Sequence, residues 1–194
     1  VDAARVRIRL EEQGRNEIQV GGGYSGLEGF FFTGSYSTRN FLGRGEILSA
    51  YAQLGGSRTL YQLSFREPWF MGKPYQLGFS IYRQDQEFAS QQSQSGNGGS
   101  ILIGRQFGAF TNVQAVYRFE RVDYVDSSSN LQSEDLTQGR TTIGSLTPSY
   151  QYDRVDDPYR PSRGRRLTLS MMIAGRRLGG DNSFLKPLFQ FSEY

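Results

Sequence analysis

The chain contains neither cysteine nor histidine, which excludes a disulfide scaffold and removes both the usual general base and the commonest zinc ligand. Ser–His and Cys–His pairs are therefore impossible. The carboxylate pairs Glu11–Glu12 and Asp156–Asp157 fall in expected linker or turn, where no pocket raises a pKa. The reading is of a protein that is not an enzyme and takes no cofactor or metal. No stretch approaches the roughly 18 apolar residues of a membrane helix. Lysine is almost missing, with Lys73 and Lys186 the only two, and the net charge is only +3. Nucleic acid is not an expected partner. Val1 to Arg9 shows no basic stretch followed by an apolar core, so an export signal is expected upstream or already removed.

What is present is two-residue alternation, recurring between clusters of Gly, Ser, Asn, Asp and Pro, with almost no helical periodicity. In the clearest segment Tyr75, Leu77, Phe79 and Ile81 share one face, and Gln76, Gly78, Ser80 and Tyr82 the other. The same holds for Tyr61, Leu63 and Phe65, and for Leu167, Leu169, Met171 and Ile173. Val113, Ala115, Tyr117 and Phe119 alternate likewise, with Val116 the exception. About ten strands are expected, starting near residues 17, 29, 45, 59, 74, 100, 112, 141, 165 and 184.

The connections at 40–45, 67–74 and 108–111 are compact, whereas 84–99 and 123–140 are long and polar and read as loops. Short turns at one rim and long loops at the other are the habit of transmembrane barrels. Phe41, Trp69, Phe70, Phe107 and Phe110 cluster at the compact turns, as an interfacial girdle would. A mean hydropathy of −0.55 is compatible with this, because a spanning strand needs only every second residue apolar over about 9 to 11 positions. The fold class is therefore all-β, an antiparallel transmembrane up-and-down barrel. A soluble β-sandwich with long strands is the alternative.

Gly21, Gly23 and Gly26 satisfy the G-x-G-x-x-G pattern, but a strand follows rather than the helix that a dinucleotide site requires. Glycine in a strand weakens it and leaves a neighbour little to hold, so Glu17 to Ser25 reads as a poorly anchored strand; tight packing or a bulge would use the same residues. Asp153, Asp156 and Asp157 suggest calcium, yet Arg154, Arg160, Arg163, Arg165 and Arg166 surround them, and local ion pairing is the preferred reading. Arg176 and Arg177 lie at the opposite rim, where lipopolysaccharide phosphates or plain solvent would meet them.

The order of these pieces resembles the barrel domain of the BamA-type family of outer-membrane assembly and translocation proteins. The resemblance is carried by Asn40, Phe41, Leu42, Gly43, Arg44 and Gly45 as a first periplasmic turn and by Glu67, Pro68, Trp69 and Phe70 as a second. Asp153 through Pro161 to Gly164 resembles the turn before the ninth strand. It implies that residues 1–12, with Val6, Ile8 and Leu10 alternating, end a POTRA domain, that 13–16 are a linker, and that 17–194 are the N-terminal portion of the barrel. The family barrel has sixteen strands, so about ten are present and a fragment is expected, a shortened barrel being the alternative. The implied function is insertion and folding of β-barrel proteins in the bacterial outer membrane by lateral opening. The implied substrate-pairing edge is the backbone of Glu17, Ile18, Gln19, Val20, Gly21, Gly22, Gly23 and Tyr24. Implied partners are unfolded outer-membrane proteins, accessory assembly lipoproteins, outer-membrane lipid and lipopolysaccharide. A passive porin or a protein-translocation channel is the alternative function.

Overall fold

The structure, a computed structural model, describes residues 16–26, 29–88, 92–126, 137–157 and 159–194. Residues 1–12 and most of the linker lie outside these. Ten strands follow one another: β1 Asn16–Ser25, β2 Gly29–Arg39, β3 Ile47–Gly55, β4 Arg58–Glu67, β5 Tyr75–Phe88, β6 Gln92–Phe107, β7 Thr111–Asp126, β8 Thr137–Val155, β9 Gly164–Ala174 and β10 Phe184–Glu193. Each pairs antiparallel with its sequence neighbours in a single sheet running from β1 to β10, and the two outermost strands do not pair with each other.

Directly opposed residues in an antiparallel ladder point to the same face, so the register carries one face across all ten strands. Ile18 on β1 faces Tyr36 on β2, then Ala50, Leu63, Ile81, Gly99, Phe119 and Gly144 in turn. A neighbouring row runs from Phe65 through Phe79, Ile101, Tyr117, Leu146 and Ile173 to Leu185. The opposite face carries Ser37, Ser49, Gln62, Tyr82, Gly98 and Glu120, and hydrogen bonds cross it between strands. Ser37 meets Ser49 at 3.1 Å and Ser80 meets Ser100 at 2.8 Å. The Tyr82 hydroxyl donates to Glu120 with its ring lying across Gly98, where a Cβ would stand 3.0 Å from the ring.

Burial is inverted relative to a water-soluble core. Among the described residues Ala174 is the only buried hydrophobic, while Thr38, Glu46, Gln53 and Ser145 are buried. Phe32, Leu63, Phe79, Ile81, Ile103 and Phe189 all stand exposed on the apolar face. A β-sandwich would lay a second sheet over that face; the described strands form one sheet only.

The segments expected as loops at 84–99 and 123–140 are largely strand, because β5 runs on to Phe88, β6 starts at Gln92, β7 reaches Asp126 and β8 starts at Thr137. Their ladders are held by polar pairs that carry no apolar alternation. Asp85 accepts from Ser95, and Arg140 pairs with Asp123 at 2.6 Å. The tips themselves lie outside the described residues. Within the sheet, Pro148 has no N–H to give, and the β8–β9 ladder is interrupted at Thr147 and Pro148 before resuming in the same register at Ser149.

β8 also extends beyond the end of β9. The β9–β10 connection folds back over the Thr142 to Gly144 part of that length: Gly175 N–H donates to Gly144 O at 3.3 Å, Asp181 N–H to Thr142 O at 2.8 Å, and Thr142 N–H to the Asp181 carboxylate at 2.7 Å. From the apolar face the Tyr117 hydroxyl donates to Leu178 O at 2.9 Å.

With lipid over the apolar face, Leu77→Arg or Phe79→Arg should cost about 2 to 4 kcal/mol near a bilayer midplane, whereas Gln76→Arg on the other face should be mild. Urea unfolding in vesicles reads the difference. Equal tolerance of all three would mean that water or protein covers this face.

Candidate functional site

β1 has one neighbour. All ten of its residues pair with β2, from Asn16 opposite Thr38 to Ser25 opposite Gly29, and its other side faces no described strand. In an antiparallel strand alternate residues turn both backbone groups to the same side, so about half of the N–H and C=O groups between Glu17 and Tyr24 point to the free edge. The side chains add little cover: Ile18, Val20 and Tyr24 project from the apolar face, with Val20 85% exposed. On the polar face the Gln19 side-chain amide donates to the Glu17 carboxylate at 2.5 Å.

The glycine run is explained by its neighbour. None of Gly21, Gly22 and Gly23 has a positive φ, so backbone freedom is not what these positions require. A Cβ on Gly23 would stand 2.8 Å from the end of the Phe31 ring, one on Gly22 3.2 Å from Phe32, and one on Gly21 3.1 Å from the Thr33 hydroxyl. Aromatic side chains of β2 thus lie over β1 and hold it from one side, supported by an edge-on contact of Tyr24 with Phe30 at 4.9 Å. Tight packing toward β2 and a bare edge on the other side therefore coexist in the same strand.

The opposite rim shows why the turn motifs take their form. In the β2–β3 turn Asn40, Gly43 and Gly45 adopt positive φ, which glycine accepts freely and asparagine better than most residues. The Asn40 side chain accepts the Gly45 N–H at 2.8 Å, and Glu46 accepts Leu42 N–H at 3.2 Å and Arg44 N–H at 2.9 Å. Desolvation opposes the Glu46 charge, but the amides, with Arg44, outweigh it and hold the carboxyl below its ordinary range. Phe41, Leu42, Trp69, Met71, Phe107 and Phe110 stand exposed along this rim. Arg105 lies over the Tyr75 and Phe107 rings at 5.0 and 4.8 Å.

The Asp153, Asp156 and Asp157 cluster is occupied internally. Asp153 pairs with Arg166 at 2.9 Å, and Asp157 accepts the Tyr159 and Arg160 amides. The Ser162 hydroxyl, with the Ser162, Arg163 and Asp157 amides, holds the Asp156 carboxyl well below the usual carboxylate range. These carboxylates organise the β8–β9 turn.

Residues 40–194, beginning at the Asn40 turn, match the Omp85 superfamily domain. The chain belongs to the Omp85 superfamily. This Omp85 chain is 24% identical over 194 residues to the outer membrane protein assembly factor BamA of Nitratidesulfovibrio vulgaris, an alignment covering 100% of this chain and 24% of that protein. Among solved structures it is similar to the crystal structure of BamA from Haemophilus ducreyi lacking POTRA domains 1–3, with a TM-score of 0.75 at 18% identity, over 94% of this chain and 38% of that one. That likeness shows the fold. The chain spans about a quarter of the length of the curated relatives it matches. Like other Omp85 members it is a protein of the bacterial outer membrane.

The sequence marks Glu17 to Ser25 as a strand and both turns as turns but gives no direct sign of the contacts of Phe31 with Gly23 and of Tyr82 with Gly98. The signal available was a glycine on one strand at the level of an aromatic on the next. Gly23→Leu should loosen the β1–β2 ladder, read as faster amide exchange between Gln19 and Tyr24. Adding Phe31→Ala should recover part of the protection; no recovery would mean that the ring contact is not what holds β1.

Proposed function

We propose that this chain is the N-terminal part of a transmembrane β-barrel that inserts and folds other β-barrel proteins in the bacterial outer membrane, with β1 as the strand that templates them. The observation that carries the reading is the conjunction of an uncovered apolar face and a bare first strand in one sheet. Further strands beyond β10 complete the barrel, and POTRA domains precede Asn16. The name of the relative from N. vulgaris, an assembly factor, supports the same reading.

The physical basis is strand addition. An open edge offers unpaired N–H and C=O groups, and an incoming strand satisfies them while its own are satisfied in return. In hydrocarbon each unpaired group costs several kcal/mol, so templated pairing is strongly favourable. No covalent chemistry is required, and the protein acts without enzymatic turnover. Clients are unfolded outer-membrane proteins, delivered with the help of accessory lipoproteins. Because recognition runs through backbone groups of Glu17 to Tyr24, one edge serves clients of differing sequence.

Proline scanning in the full-length protein tests the edge. Gln19 and Val20 are consecutive, so one N–H points to β2 and the other to the free edge. One proline should block client assembly with the barrel intact and the other should weaken β1 itself. A disulfide locking β1 to the closing strand should stop assembly until reductant is added. If the locked protein assembles clients at the normal rate, lateral opening at β1 is not the mechanism.

Orientation is tested separately, since the chain has no cysteine of its own. A cysteine at exposed Ser93, on the long β5–β6 hairpin, should react with an impermeant thiol reagent on whole cells, and one at Arg44 should not. The reverse labelling would turn the sheet over.

A further inference from the structure

The apolar face ends in a row of charge at the long-hairpin rim. Above the row Leu63–Ile81–Gly99–Phe119 the next outward positions are Tyr61, Arg83, Asn97, Arg121 and Thr142, directly opposed on β4 to β8. Arg83 and Arg121 are two strands apart, about 10 Å between backbones, with only Asn97 between them. The β9–β10 connection brings Arg176 and Arg177 to the same level, because its backbone is pinned to Gly144 and Thr142 of β8 and to the Tyr117 hydroxyl. All four arginines are exposed. The acids nearby are engaged: Asp85 holds Arg83 at 3.4 Å and accepts from Ser95, Asp123 pairs with Arg140, and Asp181 accepts the Thr142 amide. Arg121, Arg176 and Arg177 make no ion pair among the described residues.

Beneath this row the apolar face is grooved. One groove of about 690 Å³ has Gly99 and Ile101 at its base, Phe79 and Ile81 on one wall, Tyr117 and Phe119 on the other, and Arg121 at its head. A second, of about 620 Å³, lies over Gly34, Ala50 and Ala52, is walled by Tyr36, Leu63 and Ile81, and has Arg83 at its head. Ile81 is the ridge between them. A Cβ on Gly99 would come within 3.2 Å of Ser80 O and 3.5 Å of the Ile81 side chain, so any larger residue there fills the first groove.

We propose that this surface is a binding site for a phosphate-bearing lipid with several acyl chains. Its phosphate sits between Arg83 and Arg121, its chains lie in the two grooves, and Arg176 and Arg177 meet further headgroup charge. The inference rests on the reading that lipid covers the apolar face. Arginine suits the role because its planar fork donates two parallel hydrogen bonds to phosphate. The arrangement fits an amphiphile in particular: a free anion would have no use for the grooves, and a neutral lipid none for the arginines. An anionic lipid held here would brace β2 to β8 against the β9–β10 connection.

Bis-phosphorylated lipid A, titrated into the full-length protein in neutral detergent and counted by native mass spectrometry, is a suitable probe. The wild type should retain it, and Arg83→Gln with Arg121→Gln should weaken retention about tenfold or more. Arg83→Lys with Arg121→Lys should recover part of the loss. Gly99→Leu, which leaves every charge in place, should also weaken retention, by a smaller factor. Dephosphorylated lipid A should bind the wild type no better than it binds the Gln variant, and millimolar inorganic phosphate should not compete. Competition by inorganic phosphate at that level, together with indifference to Gly99→Leu, would make this an anion site and overturn the lipid. Retention unchanged in the double Gln variant would overturn the site altogether. Purification of the full-length protein without detergent would instead sink the reading on which the site rests, and client assembly in neutral-lipid vesicles, expected to be unaffected by the arginine changes, keeps the two failures apart.

Discussion

The rest of this structure depends on the inter-strand ladder. With Ala174 the only buried hydrophobic among the described residues, packing of a protein core contributes little to holding the strands together. Backbone hydrogen bonds in an unbroken β1-to-β10 order do so, backed by cross-strand pairs such as Ser80 with Ser100. In an apolar medium that dependence becomes strict, because a backbone group without a partner finds no water. Local lapses are therefore costly, and the one at Pro148 is confined to two residues of an interior ladder. The terminal edges are a different matter, since each leaves a whole row of groups open.

The free length of β8 and the free edge of β1 differ in their cover among the described residues. Where β8 extends past β9, the stretch next to β9 is covered, and the cover reproduces strand pairing: Asp181 gives its N–H to Thr142 and receives the Thr142 N–H on its side chain. Proteins usually blunt exposed edges in some such way, with charge, proline, bulges or a covering loop. Beyond the charge of Glu17, β1 shows none of these between Glu17 and Tyr24 among the described residues. Its glycines narrow the strand and its aromatic contacts come wholly from β2. The β1 edge, in contrast, meets no described strand on its outer side, and under the proposed function it is the edge offered for pairing.

Much of this was legible in the sequence, for physical reasons that can be named. Period-two alternation in Tyr75 to Tyr82 and Leu167 to Ile173 records which side of a strand meets an apolar phase, so strand number and face followed from it. The β2–β3 turn was legible because Asn40, Gly43 and Gly45 take positive φ, and few residue types tolerate it. The long hairpins were not. Beyond the apolar band both faces of β5, β6, β7 and β8 carry mostly polar side chains, alternation vanishes, and Gln, Ser and Asn look like loop although the ladder continues. The arginine row and the grooves were hidden for another reason. Arg83 and Arg121 are 38 residues apart in sequence (83 to 121) and become neighbours in one row only through the registers of β5 with β6 and β6 with β7.

Under the proposed function such an edge would need no energy source. Opening a seam between β1 and a closing strand would exchange one set of backbone pairs for another of the same kind when a client strand enters, so the start and end states would differ little in hydrogen bonding. On that proposal the forward direction would be favoured by the client, whose later strands go from unpaired to paired and whose apolar face leaves water. The costly interval would be the one in which β1 has released one partner and not yet gained the next. A strand with three consecutive glycines makes few side-chain contacts toward its free side, so little beyond the backbone has to be broken during that interval. The rings of Phe31 and Phe32 pack against β1 from the β2 side and, on that proposal, would keep β1 attached to β2 during the exchange. Asymmetric anchoring of this kind, firm toward β2 and bare toward the seam, would let the same strand be repeatedly unpaired on one side without leaving the sheet.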